Sequence, residues 1–280
     1  MNARPAEQPK HRPDNDGLLL TKMRKAFFPG TPNEVVALDR VDLLVHPGDF
    51  VTIIGSNGAG KSTLLNAIAG TFPVDRGSIV IAGRNVTREA EHTRARLVGR
   101  VFQDPRAGTA PSMSIEENLS MAMLRGQRRG LRRGVNGSRR KEIQDQLGLL
   151  GMSLENRVTA EVAKLSGGQR QAVSLLMATI AEPRLLLLDE HTAALDPKVA
   201  QTIMDLTGKI VMEKRLTTLM VTHNMELALR WGNRLVMMHQ GRIVLDVGQE
   251  DKSGLEVADL VAKFHKVAGE NLVVDRMLLD

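Results

Sequence analysis

Apolar positions in this chain follow two rhythms that alternate along its length. Early runs have the short, dense apolar character of strands. "VDLLVHPGDFVTIIG" (41–55) reads as two strands around a His-Pro-Gly-Asp turn, the second feeding a glycine loop. "KSTLLNAIAG" (61–70) has helical spacing and ends on a glycine stop. "RGSIVIAGRNV" (76–86) predicts a short strand with turns on both sides. From about residue 104 to 181 the pattern changes to helices, glycines and basic residues, with little strand signal. "RLLLLDE", "TTLMVTHN" and "NRLVMMHQGRIVLDVG" return to strands, separated by helical stretches such as "PKVAQTIMDLTGKIVMEK". Strands alternating with helices predict an α/β fold, interrupted by a helical insertion. No internal repeat is visible.

Composition narrows the class. Of 280 residues, 42% are hydrophobic and 25% charged, the balance of an ordinary globular protein. No apolar run approaches the roughly 18 residues that a membrane span requires. Residues 1–16 are polar and proline-broken, without the apolar segment of a secretory signal, and predict a disordered lead-in. Cysteine is absent, which excludes disulfides and thiolate metal sites and suits the cytosol. The net charge is +6, and the stretch 125–141 holds eight basic residues and no acidic one. Such a run is either a solvated loop or a surface contact. Aromatics make up 2% of the chain, with no tyrosine, which argues against a single-strand nucleic-acid binder built on stacking platforms.

Candidate chemistry begins at "GSNGAGKST" (55–63). Gly, four residues, then Gly-Lys-Ser is the P-loop pattern, and here it follows a strand and opens a helix. Its glycines let successive N–H groups curl inward toward phosphate oxygens. Lys61 can place its ammonium between the β- and γ-phosphates, and the Ser62 hydroxyl can ligate magnesium. "LLLLDE" then carries Asp189 and Glu190 at the end of a buried strand, where an α/β sheet places its ligand. Asp189 suits the magnesium shell, usually through water, and Glu190 can polarise the water that attacks the γ-phosphorus.

A second glycine cradle, "LSGGQRQ" (165–171), stands at a helix start but has no lysine. With "GSNGAGKST", Gln103 in "VFQDP", "LLLLDE", "AALDP" and His223 in "VTHN", in that order, the chain closely resembles the nucleotide-binding subunits of ATP-binding cassette (ABC) transporters. The resemblance covers roughly residues 18 to 250. It implies one ATPase domain over 17–280: a P-loop NTPase (RecA-like) core, an antiparallel β subdomain, and a helical signature subdomain inserted at about 104–181.

In that family two subunits pack head to tail. Each presents its signature residues, here Ser166, Gly167, Gly168 and Gln169, to the γ-phosphate held by the other's P-loop. The resemblance assigns ATP to Ser56, Asn57, Gly58, Ala59, Gly60, Lys61, Ser62 and Thr63, and Mg2+ to Ser62, Gln103 and Asp189. It makes Glu190, His223 and Gln103 the catalytic group and places Asp196 at the dimer seam. Adenine would stack on Phe27, with Phe28 the rival position.

One position departs from the family pattern. His191 follows the catalytic glutamate where proline is usual. A histidine restores an N–H and brings a titratable ring close to the phosphates, which would add to the pH dependence of turnover. The other reading is a substitution with little kinetic effect.

As an expectation, the chain is the energising ATPase of a bacterial-type transporter, peripheral on the cytoplasmic face of the inner membrane. Its implied partners are a second copy of itself, membrane permease subunits and, through them, a solute-binding protein. Segment 104–126 would receive the permease's coupling helix, its methionines forming either an adaptable groove or ordinary core. Arg128, Arg129, Arg132 and Arg133 would meet anionic lipid headgroups, and no nucleic-acid partner is expected. Import of a small organic solute such as an amino acid is the leading reading. Lipid or lipoprotein export and a non-transport ATPase are the alternatives.

Overall fold

A computed structural model describes residues 17–127 and 134–268. The lead-in 1–16 and the basic positions Arg128, Arg129, Arg132 and Arg133 lie outside the described residues.

The chain opens with β1 (Leu18–Phe27), β2 (Val35–Val45) and β3 (Phe50–Ile54), followed by helix α1 (Lys61–Ala69). Strands β4 (Arg76–Ile81) and β5 (Arg84–Asn85) precede the short α2 (Glu91–Arg94) and β6 (Val98–Val101). Then come α3 (Ile115–Met123), α4 (Gly137–Gly148) and α5 (Gly167–Thr179). Strand β7 (Leu185–Asp189), α6 (Pro197–Lys214), β8 (Thr217–Val221) and α7 (Met225–Arg230) follow. The hairpin β9 (Arg234–His239) and β10 (Arg242–Val247) leads into α8 (Gln249–Lys252) and α9 (Val257–Ala268).

These strands form two sheets. One is antiparallel, in the order β2-β1-β4-β5. The other has the order β10-β9-β3-β8-β7-β6, with β9, β3, β8, β7 and β6 parallel and β10 an antiparallel edge. The His-Pro-Gly-Asp turn therefore joins strands of different sheets. It is closed by Asp49 N–H to His46 O (3.0 Å) and His46 N–H to the Asp49 carboxylate (2.9 Å). The pattern located both strands; their separation reflects the partners each can bury against, since β3 is buried along its whole length.

Strand β7 shows how the sheet divides the interior. Leu185 and Leu187 join one core with Leu64, Leu65 and Ile68 of α1 and the inner face of the antiparallel sheet. Leu186 and Leu188 join the other, with Ile115 and Leu119 of α3, Leu175 and Leu176 of α5, and Ile203 and Met204 of α6. Alternate side chains point to opposite faces of a strand, so α1 and α5 pack on opposite faces of the parallel sheet. Helices α7 and α9 cover a third cluster around Ile54, Leu235 and Met237.

Arg94 is 1% exposed and fixes the far end of α1. Its guanidinium donates to the carbonyls of Ala67 (2.7 Å) and Ile68 (2.9 Å), and to those of Glu89 (2.9 Å) and Thr87 (3.1 Å). A helix C-terminus leaves carbonyls that its own ladder cannot satisfy, and here a buried cation takes two of them. Among the described residues no helix is long and apolar enough to cross a membrane.

Candidate functional site

The loop between β3 and α1 is drawn tightly against its neighbours. Gly55 has φ +150°, and a Cβ there would fall 2.2 Å from the Met238 carbonyl oxygen of β9. Gly60 has φ +99°, and its Cβ would fall 2.4 Å from the carbonyl oxygen of Ala37. Only glycine meets both demands. Gly60 is also the N-cap of α1, with no side chain bonded to the first turn. The N–H groups of Lys61, Ser62 and Thr63 therefore open onto the loop, as an anion site requires.

Around that end, Ala59 is buried and accepts from Gly241 N–H (3.0 Å), while Ser56 is half-buried and Asn57 and Gly58 are exposed. Lys61 is 7% exposed, and its ammonium donates to Gly55 O (2.7 Å) and Ser56 O (3.1 Å). Burial lowers the Lys61 pKa, and the charges of Glu190 and Asp189 oppose that shift. The loop thus holds a cation inside a ring of N–H donors, an arrangement that can grip a triphosphate.

Asp189 and Glu190 stand at the carboxyl end of β7, beside that cation. Burial pushes the Asp189 carboxyl above its ordinary pKa; the Arg100 guanidinium and the Ser62 hydroxyl favour the charged form. Asp189 and Ser62 therefore present oxygen donors side by side. One carboxylate and one hydroxyl completed by substrate phosphates form a donor set that suits magnesium. Glu190 has φ +43°, a conformation that costs a non-glycine residue roughly 1 kcal/mol. It is held there by its N–H to Val221 O (3.0 Å) and by the turn that Ala193 N–H closes on its carbonyl (2.9 Å). His223 Nδ1 lies 3.3 Å from Glu190 Oε2. A carboxylate bonded to a histidine at the phosphate end of the loop can orient and deprotonate a water.

Gln103 leaves the end of β6 with an exposed side chain and makes no hydrogen bond to these groups. Arg100, one register position before the end of β6, was not picked out by sequence. It pairs with Asp189 at 3.3 Å while lying 4.4 Å from the Phe102 ring centroid. The pattern around it, "VGRVFQ", is too short to read as a strand, so nothing placed it beside β7.

Of the two readings of His191, the structure contradicts a titrating ring near the phosphates. Its side chain turns into the core under α6, 2% exposed, with Nε2 3.1 Å from Thr207 Oγ1. Thr207 donates its own hydroxyl proton to Ile203 O (2.7 Å), so Nε2 is the protonated nitrogen that donates to it. Burial pulls the pKa down to about 4. The ring is neutral at working pH and serves as an anchor.

The signature residues form the start of α5. Ser166 is its N-cap in a full capping box, its hydroxyl accepting from Gln169 N–H (3.3 Å) and Gln169 Oε1 accepting from Ser166 N–H (3.3 Å). Ser166 and Gly167 are exposed, and buried Gly168 packs on Val199 of α6. Asp196 is exposed and caps α6, accepting from Lys198 N–H (3.0 Å) and Val199 N–H (3.3 Å). Phe27 is half-buried, edge-on to Phe72 with centroids 5.4 Å apart. Phe28 stands 68% exposed at φ +53°. The structure brings the P-loop, Asp189, Glu190 and His223 together; the signature residues belong to the opposite side of the sheet.

Residues 38–193 match the family model described as ABC transporter. The chain is 45% identical to the tyrosine transport ATP-binding protein of Clostridioides difficile (strain R20291), over 88% of this chain and 98% of that protein. It is 38% identical to the lipoprotein-releasing system ATP-binding protein LolD of Ruegeria sp. (strain TM1040), over 81% of this chain and 97% of that protein. The ATP-binding cassette MJ0796, solved as a dimer in a post-hydrolysis state with ADP and phosphate, matches with a TM-score of 0.71 at 28% identity. That match covers 83% of this chain and 98% of MJ0796.

The buried His191 ring makes a pH prediction with a definite sign. Unfolded, the ring takes a proton below about pH 6.5; folded, it stays neutral down to about pH 4. The unfolded state binds more protons in that window, so stability is complete above it and falls as pH drops through it. Between pH 7.5 and 5 this ring's share of the loss is about 2 kcal/mol, and denaturant titration should find wild type losing that much more than His191→Gln over the same range. Equal losses in both proteins would contradict the assignment.

Proposed function

The chain belongs to the ABC transporter ATP-binding subunits and hydrolyses ATP; on that premise we propose that it works as a head-to-tail homodimer powering solute import through a separate permease. The observation that carries the dimer is the placement of the two phosphate cradles. Helices α1 and α5 sit in different cores on opposite faces of one sheet. The exposed signature end therefore suits the phosphate of a second copy better than its own. A two-fold arrangement then yields two equivalent composite sites.

Within each site the roles follow from position. Lys61 and the α1 N–H groups hold the phosphates, and Phe27, fixed by Phe72, offers a face to adenine. Asp189 and Ser62 would hold magnesium, with Gln103 joining them from its loop. Magnesium, when bound, neutralises charge on the β- and γ-phosphates. Glu190 takes a proton from the attacking water, and His223, bonded to it, keeps its carboxylate aimed. Asp196 stiffens the segment between Glu190 and α6 at the seam. Loss of the γ-phosphate removes what the two copies share, and the dimer opens.

The likeness to a tyrosine transport ATPase supports import, with an amino acid as the class of cargo. The subunit would then sit peripherally on the cytoplasmic face of the inner membrane, fed by a solute-binding protein. The likeness to LolD supports a second reading, lipoprotein release.

Glu190→Gln should lower turnover at least 100-fold and, with ATP and magnesium, elute as a dimer; wild-type turnover would remove Glu190 as the base. For cargo, cells lacking the gene should lose uptake of labelled aromatic amino acids. Normal uptake together with lipoproteins retained in the inner membrane would favour the second reading.

A further inference from the structure

Arg100 and a metal ion need the same carboxylate. Arg100 Nη2 lies 3.3 Å from Asp189 Oδ2, and the two side chains are only 12% and 15% exposed. The pair is therefore shielded from solvent, where a charge partner matters most. A guanidinium and a divalent cation drawn to one carboxylate repel each other, so each weakens the other's hold on Asp189.

The surroundings of Arg100 provide a second position. Its guanidinium already lies against the Phe102 ring at 4.4 Å, and its buried Nε has no hydrogen-bond partner. Beside it is a cavity of about 250 Å³ walled by Phe102, Gly108, Arg125, Ser174 and Glu91. Ser174 Oγ on α5 is buried and also without a partner. A buried hydroxyl and an unused N–H on two residues that wall one cavity are unmade bonds on both sides. Arg125 is occupied with the carbonyl of Met177 (3.2 Å), and Glu91 also lines the cavity.

We propose that Arg100 is a built-in stand-in cation at Asp189, which exchanges with magnesium and withdraws into the cavity toward Ser174. Its presence neutralises Asp189 when the metal is absent and sets the magnesium concentration at which nucleotide is held tightly. The exchange also shifts the group stacked on Phe102, the neighbour of Gln103, and loads α5, whose first turn is the signature. Metal occupancy thereby reaches both elements through one side chain. The inference rests on reading Asp189 as the magnesium carboxylate.

The test titrates a fluorescent ATP analogue against full-length protein at stepped magnesium concentrations, in the Glu190→Gln background to prevent turnover. Arg100→Met should lower the magnesium needed for half-maximal tightening at least threefold. The same variant should weaken nucleotide binding in chelator at least twofold, because Asp189 is then an unbalanced negative charge. Arg100→Gln should shift both quantities in the same directions, and Arg100→Lys should restore wild-type values within twofold. A merely structural arginine would not move the two quantities in opposite directions. An unchanged or raised magnesium requirement in the Met and Gln variants overturns the proposal. Asp189→Ala separates the premise: it should raise the magnesium needed for half-maximal tightening at least tenfold, and an unchanged requirement would show that the metal's carboxylate lies elsewhere.

Discussion

Burial of β7 on both faces is the constraint on which the rest of the structure depends. Its four leucines are 0% exposed and alternate between two cores. A strand buried this way cannot slip by one residue without exchanging its side chains between cores. The register with β8 then fixes Asp189 opposite Val221, and Glu190 N–H bonds to that same residue's carbonyl. The carboxylates stand where they do because the leucines before them have no alternative place.

From that wall follows the division of labour. The P-loop helix belongs to the core that the antiparallel sheet closes, and the signature helix to the core that α3 and α6 close. Each presents an N-terminus, yet the two ends differ in kind. The start of α1 has no side-chain cap and a buried lysine beneath it, which suits a tightly held anion. The start of α5 already satisfies part of its own turn through Ser166 and Gln169, which suits a phosphate offered and withdrawn. Between them, Arg100 joins β6 to β7 at Asp189, on the inner side of the cavity that α5 walls.

Much of this was legible in the sequence. Strand and helix pattern located β3, α1, β7, α6, β8, β9 and β10, because the strands are short dense apolar runs and the helices carry a spaced apolar stripe. The P-loop and the acidic pair were legible because their backbone demands leave few residue choices. Strand β6 was not, since four residues carry too little pattern, and Arg100 was missed with it. The orientation of His191 was equally hidden: no local pattern says whether a ring beside the glutamate faces the phosphates or Thr207. Contacts across sheets, such as Gly60 against Ala37 and Arg94 beneath α1, arise only once the chain has folded back on itself.

The composite pocket can be tested by mixing two defective chains. Lys61→Met removes the cation of the P-loop, and Ser166→Arg blocks the exposed signature end; each protein alone should be inactive. Shared pockets would give turnover in the equimolar mixture, reaching about a quarter of the wild-type level, because half the dimers then hold one intact site of two. Turnover in the mixture no greater than the sum of the separate proteins would contradict the account.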